Sequence, residues 1–254
     1  MLASNMAAGS QSGRTLCAEC PLQDCKGLRP LDARQIAFMQ DFKQGEFAVD
    51  KGAQVLIQGS ISPHLYTVLD GVLIRFKLLE DGRRQILNFM FPGDLIGLQG
   101  AMDDPLEHGV EALTAAKLCI FPRDRLIELF RDQPRLGFDV TWLAAKEEGA
   151  LEQHLVSLGQ RTAKERIAFL ALFLMQRGID TGLVRKSVLE LSLTQTQIGD
   201  TLGLSLVHTN RTLQALRKSG LVTWTQTELQ IDDMEAVRDF AKLDAAPETH
   251  RPFI

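Results

Sequence analysis

Four cysteines are the residues of this sequence best suited to chemistry, and they are unevenly spaced. Cys17, Cys20 and Cys25 fall within one short stretch, whereas Cys119 lies about a hundred residues further along the chain. Thiolates are preferred ligands of zinc and of iron–sulfur clusters, and closely spaced cysteines also form redox pairs. Taken alone, Cys119, between Leu118 and Ile120, would more often be a small core residue than a ligand. The pattern predicts a metal centre or a redox-active thiol group, and the spacing by itself leaves both open.

Length and composition are those of an ordinary globular protein. The chain has 254 residues, 45% of them hydrophobic and 24% charged, which suits one large domain or two small ones. Residues 1–14 have no basic stretch followed by an apolar run, and no apolar stretch approaches the roughly 20 residues that span a bilayer. We therefore expect a cytoplasmic protein with no membrane partner. Structural disulfides are rare in that compartment, which favours metal binding or redox chemistry for the cysteines.

Charge is distributed unevenly along the chain. Residues 159–222 contain nine lysines and arginines against four acids, a balance of +5. Since the whole chain carries −4, the remainder stands at −9. Such asymmetry indicates an anionic partner for the basic segment, although a chance excess on a solvated face would give the same count.

Residues 47–122 have the pattern of a β-rich domain. Short apolar runs alternate with turn residues, and Asp81-Gly82 separates the runs 73–79 and 84–91 as a hairpin turn would. Many short strands with turns at this spacing favour an antiparallel sandwich or jelly roll over a parallel sheet.

Helical periodicity begins after Pro122. Residues 123–130 predict a short helix, 135–159 a long one, and 161–178 a third that ends at Gly178. On the long helix, apolar residues recur on one side, which is typical of a dimer seam. We expect this seam to consist of Leu136, Val140, Leu143, Leu151, Leu155 and Leu158. A helix packed on its own β domain is the alternative.

Residues 194–220 have the pattern of a helix-turn-helix. Thr194 is a suitable N-cap for a first short helix, and Gly203 follows that helix, where the turn requires a positive φ. Ser205 is positioned to cap a second helix, which Gly220 ends. The apolar alternation at 221–224 and 229–231 predicts a small hairpin wing.

The second helix has the side chains needed to read DNA. In this motif its first turns enter the major groove, and the base contacts that we expect are Val207, His208, Asn210 and Arg211. Arginine suits guanine, asparagine suits adenine, and valine can touch a thymine methyl. The expected phosphate contacts, which position the protein without specifying sequence, are Thr194, Gln195, Arg217 and Lys218. An ordinary helical hairpin with a solvated polar face is the alternative.

This order of elements, with four motifs, resembles the CRP/FNR family of bacterial transcription regulators over about residues 20–235. The motifs are Phe91-Pro-Gly-Asp-Leu-Ile-Gly97, Thr162-Ala-Lys-Glu-Arg-Ile-Ala168, Leu202-Gly-Leu-Ser-Leu-Val-His-Thr-Asn-Arg211 and Lys218-Ser-Gly-Leu221. The resemblance implies an α+β fold with an N-terminal antiparallel β-roll of the cyclic-nucleotide-binding type, a long dimerisation helix and a C-terminal winged helix-turn-helix. It implies a regulator rather than an enzyme, a homodimer on palindromic double-stranded DNA, and contact with RNA polymerase if the protein is an activator.

The resemblance also suggests domain boundaries. We expect a flexible N-terminal segment with the cysteine cluster at 1–29 and a β-roll sensor domain at 30–133. A dimerisation helix would follow at 134–160, the DNA-binding domain at 161–245 and a frayed tail at 246–254.

The effector is a further implication of the resemblance. Members that bind cyclic nucleotides hold the phosphate with an Arg-Ser pair, whereas residues 97–107 contain no arginine, so we expect no cyclic AMP. The FNR branch holds a [4Fe–4S] cluster with three N-terminal cysteines and one in the roll. This implies that oxygen or redox state is sensed through Cys17, Cys20, Cys25 and Cys119. The second gap between the N-terminal cysteines is slightly shorter here than is usual in that branch.

Other effectors stay open within the same family. Zinc, thiol oxidation, nitric oxide, haem or no effector are the alternatives, and haem would need an axial ligand such as His64, His108 or His154. The recognition helix also departs from the FNR type, because Val207 stands where a glutamate is usual. Valine cannot accept a hydrogen bond from cytosine N4. We therefore expect a DNA site with the shared guanine and a changed preference at the neighbouring pair.

Overall fold

The computed structural model describes residues 15–102, 104–244 and 250–254. Within these ranges, the roll consists of the strands β1 (Gly45–Val49), β2 (Gln54–Leu56), β3 (His64–Asp70), β4 (Leu73–Leu78), β5 (Arg84–Met90), β6 (Leu95–Ile96), β7 (Gly109–Ala112) and β8 (Ala116–Pro122). They form two four-stranded sheets in the orders β1-β8-β3-β6 and β2-β7-β4-β5. Every pairing within them is antiparallel, which confirms the expected β-roll.

The β4–β5 hairpin forms where the sequence predicts it. Leu78 pairs with Arg84 across the turn. Gly82 has a φ of +84°, a conformation that residues with a Cβ rarely adopt. The hairpin carries Ile74, Phe76, Ile86 and Phe89 into a buried core.

The cysteine segment is ordered from residue 15 onward, which corrects the expected flexible segment for residues 15–29. Two 3₁₀ turns, Cys17–Glu19 and Pro21–Asp24, contain the first cysteines, and Leu22 and Leu28 are buried. A helix that the sequence reading missed follows, α1 (Ala33–Phe42), with a capping box between Asp32 and Gln35. Residues 1–14 lie outside the described part of the chain.

Two helices follow the roll, α2 (Leu126–Asp132) and α3 (Pro134–Gln160). At 1.5 Å per residue, α3 extends for about 40 Å. None of the helices in the described residues is long and apolar enough to cross a membrane.

The dimer seam expected along α3 is wrong in its first half. Leu136, Val140 and Leu143 are buried within the protomer, and the first two pack in the core of the roll beside the cysteines. A side chain already covered by its own chain has no surface left for a partner. Leu155, in contrast, is 72% exposed. The alternative of a helix packed on its own β domain therefore describes the N-terminal half of α3.

The C-terminal elements form a winged helix-turn-helix, as expected. Its helices and strands are α4 (Ala163–Asp180), β9 (Val184–Arg185), β10 (Val188–Glu190), α5 (Gln195–Leu202), α6 (Leu206–Lys218), β11 (Thr223–Trp224), β12 (Glu228–Gln230) and α7 (Met234–Phe240). The four strands make one small antiparallel sheet. Gly178 lies inside α4 rather than at its end, and the C-cap is Thr181.

The roll and the DNA-binding domain share one hydrophobic core. Phe89 and Phe91 of the roll belong to the same buried cluster as Leu170 of α4 and Leu202 of α5. Gln85 on β5 also donates to the backbone carbonyl of Thr201. The orientation of the helix-turn-helix is therefore set by packing against the roll.

The end of the chain is packed, which corrects the expected frayed tail for residues 250–254. Phe253 and Ile254 are buried in the cluster that contains Cys119. Leu28 and Arg251 form a parallel β-bridge, so the C-terminus pairs with the cysteine segment. Residues 245–249 lie outside the described part of the chain.

Candidate metal centre and candidate nucleic-acid interface

Three of the four cysteines converge on one small cavity. Cys17, Cys20 and Cys119 line a space of about 20 Å³ together with apolar side chains that include Phe121. Cys119 lies on β8, where its strand neighbours are Glu46 of β1 and Thr67 of β3. The sheet therefore fixes one thiol, and the 3₁₀ turns bring two more to it.

The fourth cysteine points elsewhere. The single S–H of Cys25 lies within hydrogen-bond distance of two carbonyls, that of Pro21 at 3.6 Å and that of Thr181 at 3.7 Å. In the part of the chain that the structure describes, no group of three or more His, Cys, Asp or Glu side chains is arranged to hold a metal ion. Cys25 instead connects the cysteine segment to the residue that caps α4.

Burial raises the pKa of three of the four thiols, Cys20, Cys25 and Cys119. It raises the pKa of Cys119 to about 12, against a smaller opposing effect of the Lys43 ammonium. Burial also raises the pKa of Cys20, although a backbone hydrogen bond from Leu22 opposes it, and it raises the pKa of Cys25. Metal binding here would have to release protons, because thiolate is the ligand form.

A buried charge cluster anchors the start of the cysteine segment. Lys43 and Lys117 both pair with Glu46, and the same carboxylate accepts from the backbone N–H of Thr15 at 3.0 Å. Of these charges, the Lys43 ammonium lowers the pKa of Cys119 and of Cys20, and the Glu46 carboxylate raises both by a smaller amount. Their net effect partly offsets that of burial.

The donor chemistry of the site fits an iron–sulfur cluster, whereas its present volume does not hold one. Four thiols on one segment and one strand are the soft donors that such clusters take. A cavity of about 20 Å³ has room for about one water molecule. To hold a cluster, the lining must move outward and Cys25 must turn away from Thr181.

The cysteine segment also contacts the DNA-binding domain through its backbone. The N–H of Gly27 donates to the carbonyl of Asp180, the last residue of α4, at 2.9 Å. A Cβ on Gly27 would lie 2.3 Å from the Cβ of Asp180, so only glycine allows this approach. The end of α4 is thus directly coupled to residues two positions from Cys25.

A buried carboxylate makes the second connection between the domains. Asp94 of the roll pairs with Arg177 of α4 at 2.8 Å and with Arg251 at 2.7 Å. Burial alone would raise the pKa of Asp94, but the two guanidinium charges outweigh it and hold the pKa below its ordinary value. Asp94 is therefore a charged tie between the roll, α4 and the end of the chain.

A larger cavity of about 540 Å³ lies between the roll and α3. Its lining includes Glu147, Glu148 and Glu152, and its Arg75 is already paired with Glu147 at 2.5 Å. Arg251 also lines the cavity and is paired with Asp94 at 2.7 Å. Since both arginines are engaged and three glutamates face the same space, the lining is poorly suited to a phosphate, and the absence of cyclic AMP stays a prediction. Arg123, which the sequence reading did not consider, donates to two carbonyls of the turn at residues 97–100.

The histidines considered as haem ligands are separated in the fold. His64 lies on β3 and His108 lines the large cavity, whereas His154 packs against the rings of Phe169 and Phe173. Burial lowers the pKa of His108 and of His154 to about 4. The fold does not bring these histidines together with the cysteines.

The recognition helix α6 is capped and presented as the sequence predicts. The side chain of Ser205 accepts from the N–H of His208, and Gly203 has a φ of 63° at the turn. Val207 is 75% exposed, Arg211 is exposed and His208 is half-buried. The first turns of α6 therefore offer an apolar contact and a guanidinium to the solvent.

Asn210 is less available than the sequence suggests. Its amide donates to Gln195 at 3.0 Å and its carbonyl accepts from Gln214 at 3.0 Å. Reading adenine would require it to break these bonds. The same hydrogen bond occupies Gln195, whereas Thr194, Arg217 and Lys218 are exposed.

Sequence reasoning missed the residues that connect the site to the rest of the molecule. These are Lys43, Glu46, Gly27, Asp180 and Arg251. Lys43 and Glu46 pair with each other only three residues apart, but the contacts of these residues with the rest of the site join segments distant in sequence. Periodicity and spacing contain no signal for such contacts. Asp94 stood within a quoted motif, but its arginine partners were not foreseen.

Comparison with known proteins gives a consistent result. The cyclic nucleotide-binding domain family matches residues 46–133, and the Crp-like helix-turn-helix domain family matches residues 165–240. A probable transcriptional activator of Rhizobium leguminosarum bv. viciae is 30% identical over 174 residues, 68% of this chain and 71% of that protein. The transcriptional activator protein FnrL of Cereibacter sphaeroides is 26% identical over 230 residues, 89% of this chain and 90% of FnrL.

A solved structure extends the likeness to the fold. FixK2 from Bradyrhizobium japonicum is 27% identical, with a TM-score of 0.67 over 80% of this chain and 98% of that one. These relatives confirm the resemblance that the four motifs indicated, and their family consists of regulators rather than enzymes. The chain belongs to the CRP/FNR family of DNA-binding transcription regulators.

Proposed function

We propose that this regulator is a homodimer that binds palindromic DNA and responds to oxygen through a [4Fe–4S] cluster held by Cys17, Cys20, Cys25 and Cys119. The observation that supports this most is the convergence of three thiols on one cavity, with Cys25 a few residues along the same segment. The resemblance to the FNR branch supports oxygen, or redox state, as the signal. Such a cluster supplies an oxygen-labile centre that is lost on oxidation.

The chain's own residues prepare the site for thiolate ligands. Lys43, buried beside the cavity, lowers the pKa of Cys119 against the larger effect of burial. Glu46 holds Lys43 in place and also binds the backbone of Thr15, so the charge and the segment are positioned together. Ligand binding releases the thiol protons, which makes loading favourable at higher pH.

Cys25 and Gly27 would transmit the state of the site to DNA binding. When Cys25 turns toward the other thiols, it gives up the carbonyl of Thr181. Gly27, two residues further along, moves with Cys25. Its hydrogen bond to Asp180 then either breaks or pulls the end of α4 along. Either result changes the relative free energies of two orientations of the helix-turn-helix, which a ligand-controlled switch requires.

DNA recognition would rest on the exposed side chains of α6. Arg211 is placed to pair with guanine, and Val207 to touch a thymine methyl at the neighbouring position. His208 is a further base contact, and Asn210 joins it only after releasing Gln195 and Gln214. Thr194, Gln195, Arg217 and Lys218 would hold phosphates.

The homodimer would form along the second half of α3. Leu155 and Val156 are exposed there, as is Phe138 nearer the start of the helix. Leu151 and Leu158 are half-buried and keep some surface for a partner. A two-fold axis along α3 would place two α6 helices on a palindromic site. As an activator, the dimer would also contact RNA polymerase, in the cytoplasm where bacterial DNA lies.

Anaerobic reconstitution tests the cofactor. The chain is incubated with iron and sulfide, and metal content, sulfide content and the ultraviolet–visible spectrum are recorded before and after admission of air. We expect about four irons and four sulfides per chain and a broad absorption that bleaches in air. Cys25→Ser should lower iron retention while leaving the three cavity thiols in place.

Other results would redirect the proposal. Bound zinc or air-oxidised thiols without iron would reject the cluster and leave a zinc or thiol-redox regulator. A haem absorption band would show that haem is the cofactor, and a histidine ligand rather than the cysteines would then be the sensing residue. The DNA-binding assignment is independent of these outcomes.

A further inference from the structure

The last residues of the chain lie in the cysteine cavity. Phe253 and Ile254 are buried and line the cavity beside three of the thiols. The hydroxyl of Thr67 donates to the carbonyl of Ile254, and Thr67 is the strand neighbour of Cys119. Phe253 and Ile254 therefore occupy space directly against the thiol of the roll.

Further contacts hold this segment in place. The backbone N–H of Arg251 donates to Gly27, and its carbonyl accepts from Arg29, both at 2.8 Å. Its guanidinium pairs with Asp94, which also binds Arg177 of α4. One segment thus contacts the cysteine segment, the roll and, through a shared carboxylate, the DNA-binding domain.

We propose that residues 251–254, called the tail plug below, and any occupant of the cysteine cavity exclude each other. With the tail plug in place the cavity has about 20 Å³, room for about one water molecule. A metal–sulfide group or an enlarged thiol needs the space that Phe253 and Ile254 fill. Although this inference rests on the proposed function for the natural occupant, the exclusion applies to any group that enlarges the thiols.

The exclusion has a consequence for the DNA-binding domain. When the tail plug leaves, Arg251 leaves Asp94, and the carboxylate keeps Arg177 alone. The contact between the roll and α4 at Asp94 then contains one guanidinium instead of two, and it loses the packing that Arg251 contributed. Coupling between two sites is reciprocal. An occupant of the cavity therefore lowers the affinity of the tail plug for its site by the same factor by which the tail plug lowers the affinity of the cavity for that occupant.

Native-state alkylation measures whether the tail plug shields the thiols. The full chain and a chain that ends at His250 are treated with iodoacetamide, and peptide mass spectrometry gives the rate at each cysteine. We expect Cys119 to react at least about tenfold faster without the tail plug, because its reaction follows local opening. The Cys25 thiol faces Thr181, so its rate should change less and serves as an internal reference. Equal Cys119 rates in the two chains would overturn the proposal.

A gentler variant guards against a loss of folding in the shortened chain. Phe253→Ala keeps the full length and the Arg251 contacts while removing one ring from the cavity lining. We expect a Cys119 rate between those of the two other chains, with an unchanged circular dichroism spectrum. A Cys119 rate equal to that of the full chain would show that the ring does not shield the thiol.

The reverse direction is measured with carboxypeptidase. Release of Ile254 is followed in the unmodified chain and in the chain whose cavity thiols have been alkylated. We expect several-fold faster release after alkylation, since the enlarged thiols displace the tail plug. The matched control changes Cys17, Cys20 and Cys119 to serine and receives the same treatment; its slow release should not change. Equal release before and after alkylation of the unsubstituted chain would contradict mutual exclusion.

Neither arm needs a cluster, so the two possible failures are distinguishable. If reconstitution yields no iron while both arms give the expected rates, the proposed cofactor is rejected and the tail plug stands. If a cluster forms and release of Ile254 stays slow, the tail plug is rejected and the cofactor stands.

Discussion

The cysteine site and the recognition helix of the same chain differ in how far each is prepared to act. Helix α6 is capped by Ser205 and presents Val207 and Arg211 to the solvent. The cavity thiols, in contrast, surround room for about one water molecule, and burial raises the pKa of Cys119 to about 12. The first region already exposes Val207 and Arg211, and only Asn210 must release its bonds to Gln195 and Gln214. The second region must open before it can hold a ligand.

The difference follows from the contacts that build each region. The helix-turn-helix is organised by neighbours in sequence: Thr194 caps α5, Gly203 makes the turn and Ser205 caps α6. The cysteine site is organised by residues far apart in sequence, such as Thr67 and Ile254, which are hydrogen-bonded across 187 positions. Local contacts form a rigid surface, whereas a site assembled from distant segments can change when one of them moves.

The largest effect on stability is expected at Asp94, whose ion pairs join the roll to α4 and to the end of the chain. Asp94→Asn leaves the buried guanidinium groups of Arg177 and Arg251 without their carboxylate, which should lower the free energy of unfolding by about 3–5 kcal/mol. Chemical denaturation measures it. Asp132→Asn removes an exposed carboxylate that pairs with Arg131 and should change little. A small effect at Asp94 would mean that the regions are not tied through this residue.

The same carboxylate gives a pH dependence with a defined sign. The pKa of Asp94 is held low in the folded state, so its contribution to stability is present above the ordinary carboxyl pKa of about 4. This contribution is lost as the pH falls through the lower folded value. Denaturation between about pH 5 and about pH 2 should show a larger loss of stability in the unsubstituted chain than in D94N, which keeps the other carboxylates whose pKa is lowered, such as Glu46.

A smaller effect is expected where the cysteine segment touches α4. Gly27→Ala places a Cβ 2.3 Å from that of Asp180, which forces the segment away and should cost about 1–3 kcal/mol of unfolding free energy. Alkylation of Cys25 should become faster, because its contact with Thr181 is lost. Gly45→Ala is the matched control, since nothing lies within 4 Å of its added Cβ. Equal thermal stability for both variants would mean that the Gly27–Asp180 contact does not couple the cysteine segment to α4.

In the recognition helix, the largest effect on DNA binding is expected at Arg211. Arg211→Ala should weaken binding to the preferred site by about 10- to 100-fold, corresponding to about 1–3 kcal/mol for a bidentate guanine contact. It should also relax specificity at that base pair. Because Arg211 is exposed, the melting temperature should stay close to that of the unsubstituted chain. Binding selection with the variant and a thermal melt measure both quantities.

The smallest effect is expected for a phosphate contact. Lys218→Gln should weaken binding equally for all sequences and reduce the slope of log K against log salt by about 1. Titrations at several salt concentrations measure this slope. A sequence-dependent loss would instead assign Lys218 to base reading.

Most of the fold could be predicted from the sequence, because its signals are local. The Asp81-Gly82 turn fixed the β4–β5 hairpin, and the caps at Thr194 and Ser205 defined the recognition motif. The same signals did not suffice on α3, where they predict that the apolar residues form one dimer seam. Leu136 and Val140 face the roll, whereas Leu155 faces the solvent, and periodicity cannot tell which surface an apolar side meets.

The sequence by itself determined the family, the recognition helix and the four cysteines, because capping residues, turn glycines and residue types act on their near neighbours. Only the tertiary structure decided that three thiols share a cavity, that Cys25 reaches Thr181 and that the chain ends against Cys119. Those placements depend on burial of Phe253 and Ile254 and on the pairing of Asp94 with two distant arginines. Such contacts form only when the whole chain has folded, so their partners leave no periodic trace in the sequence.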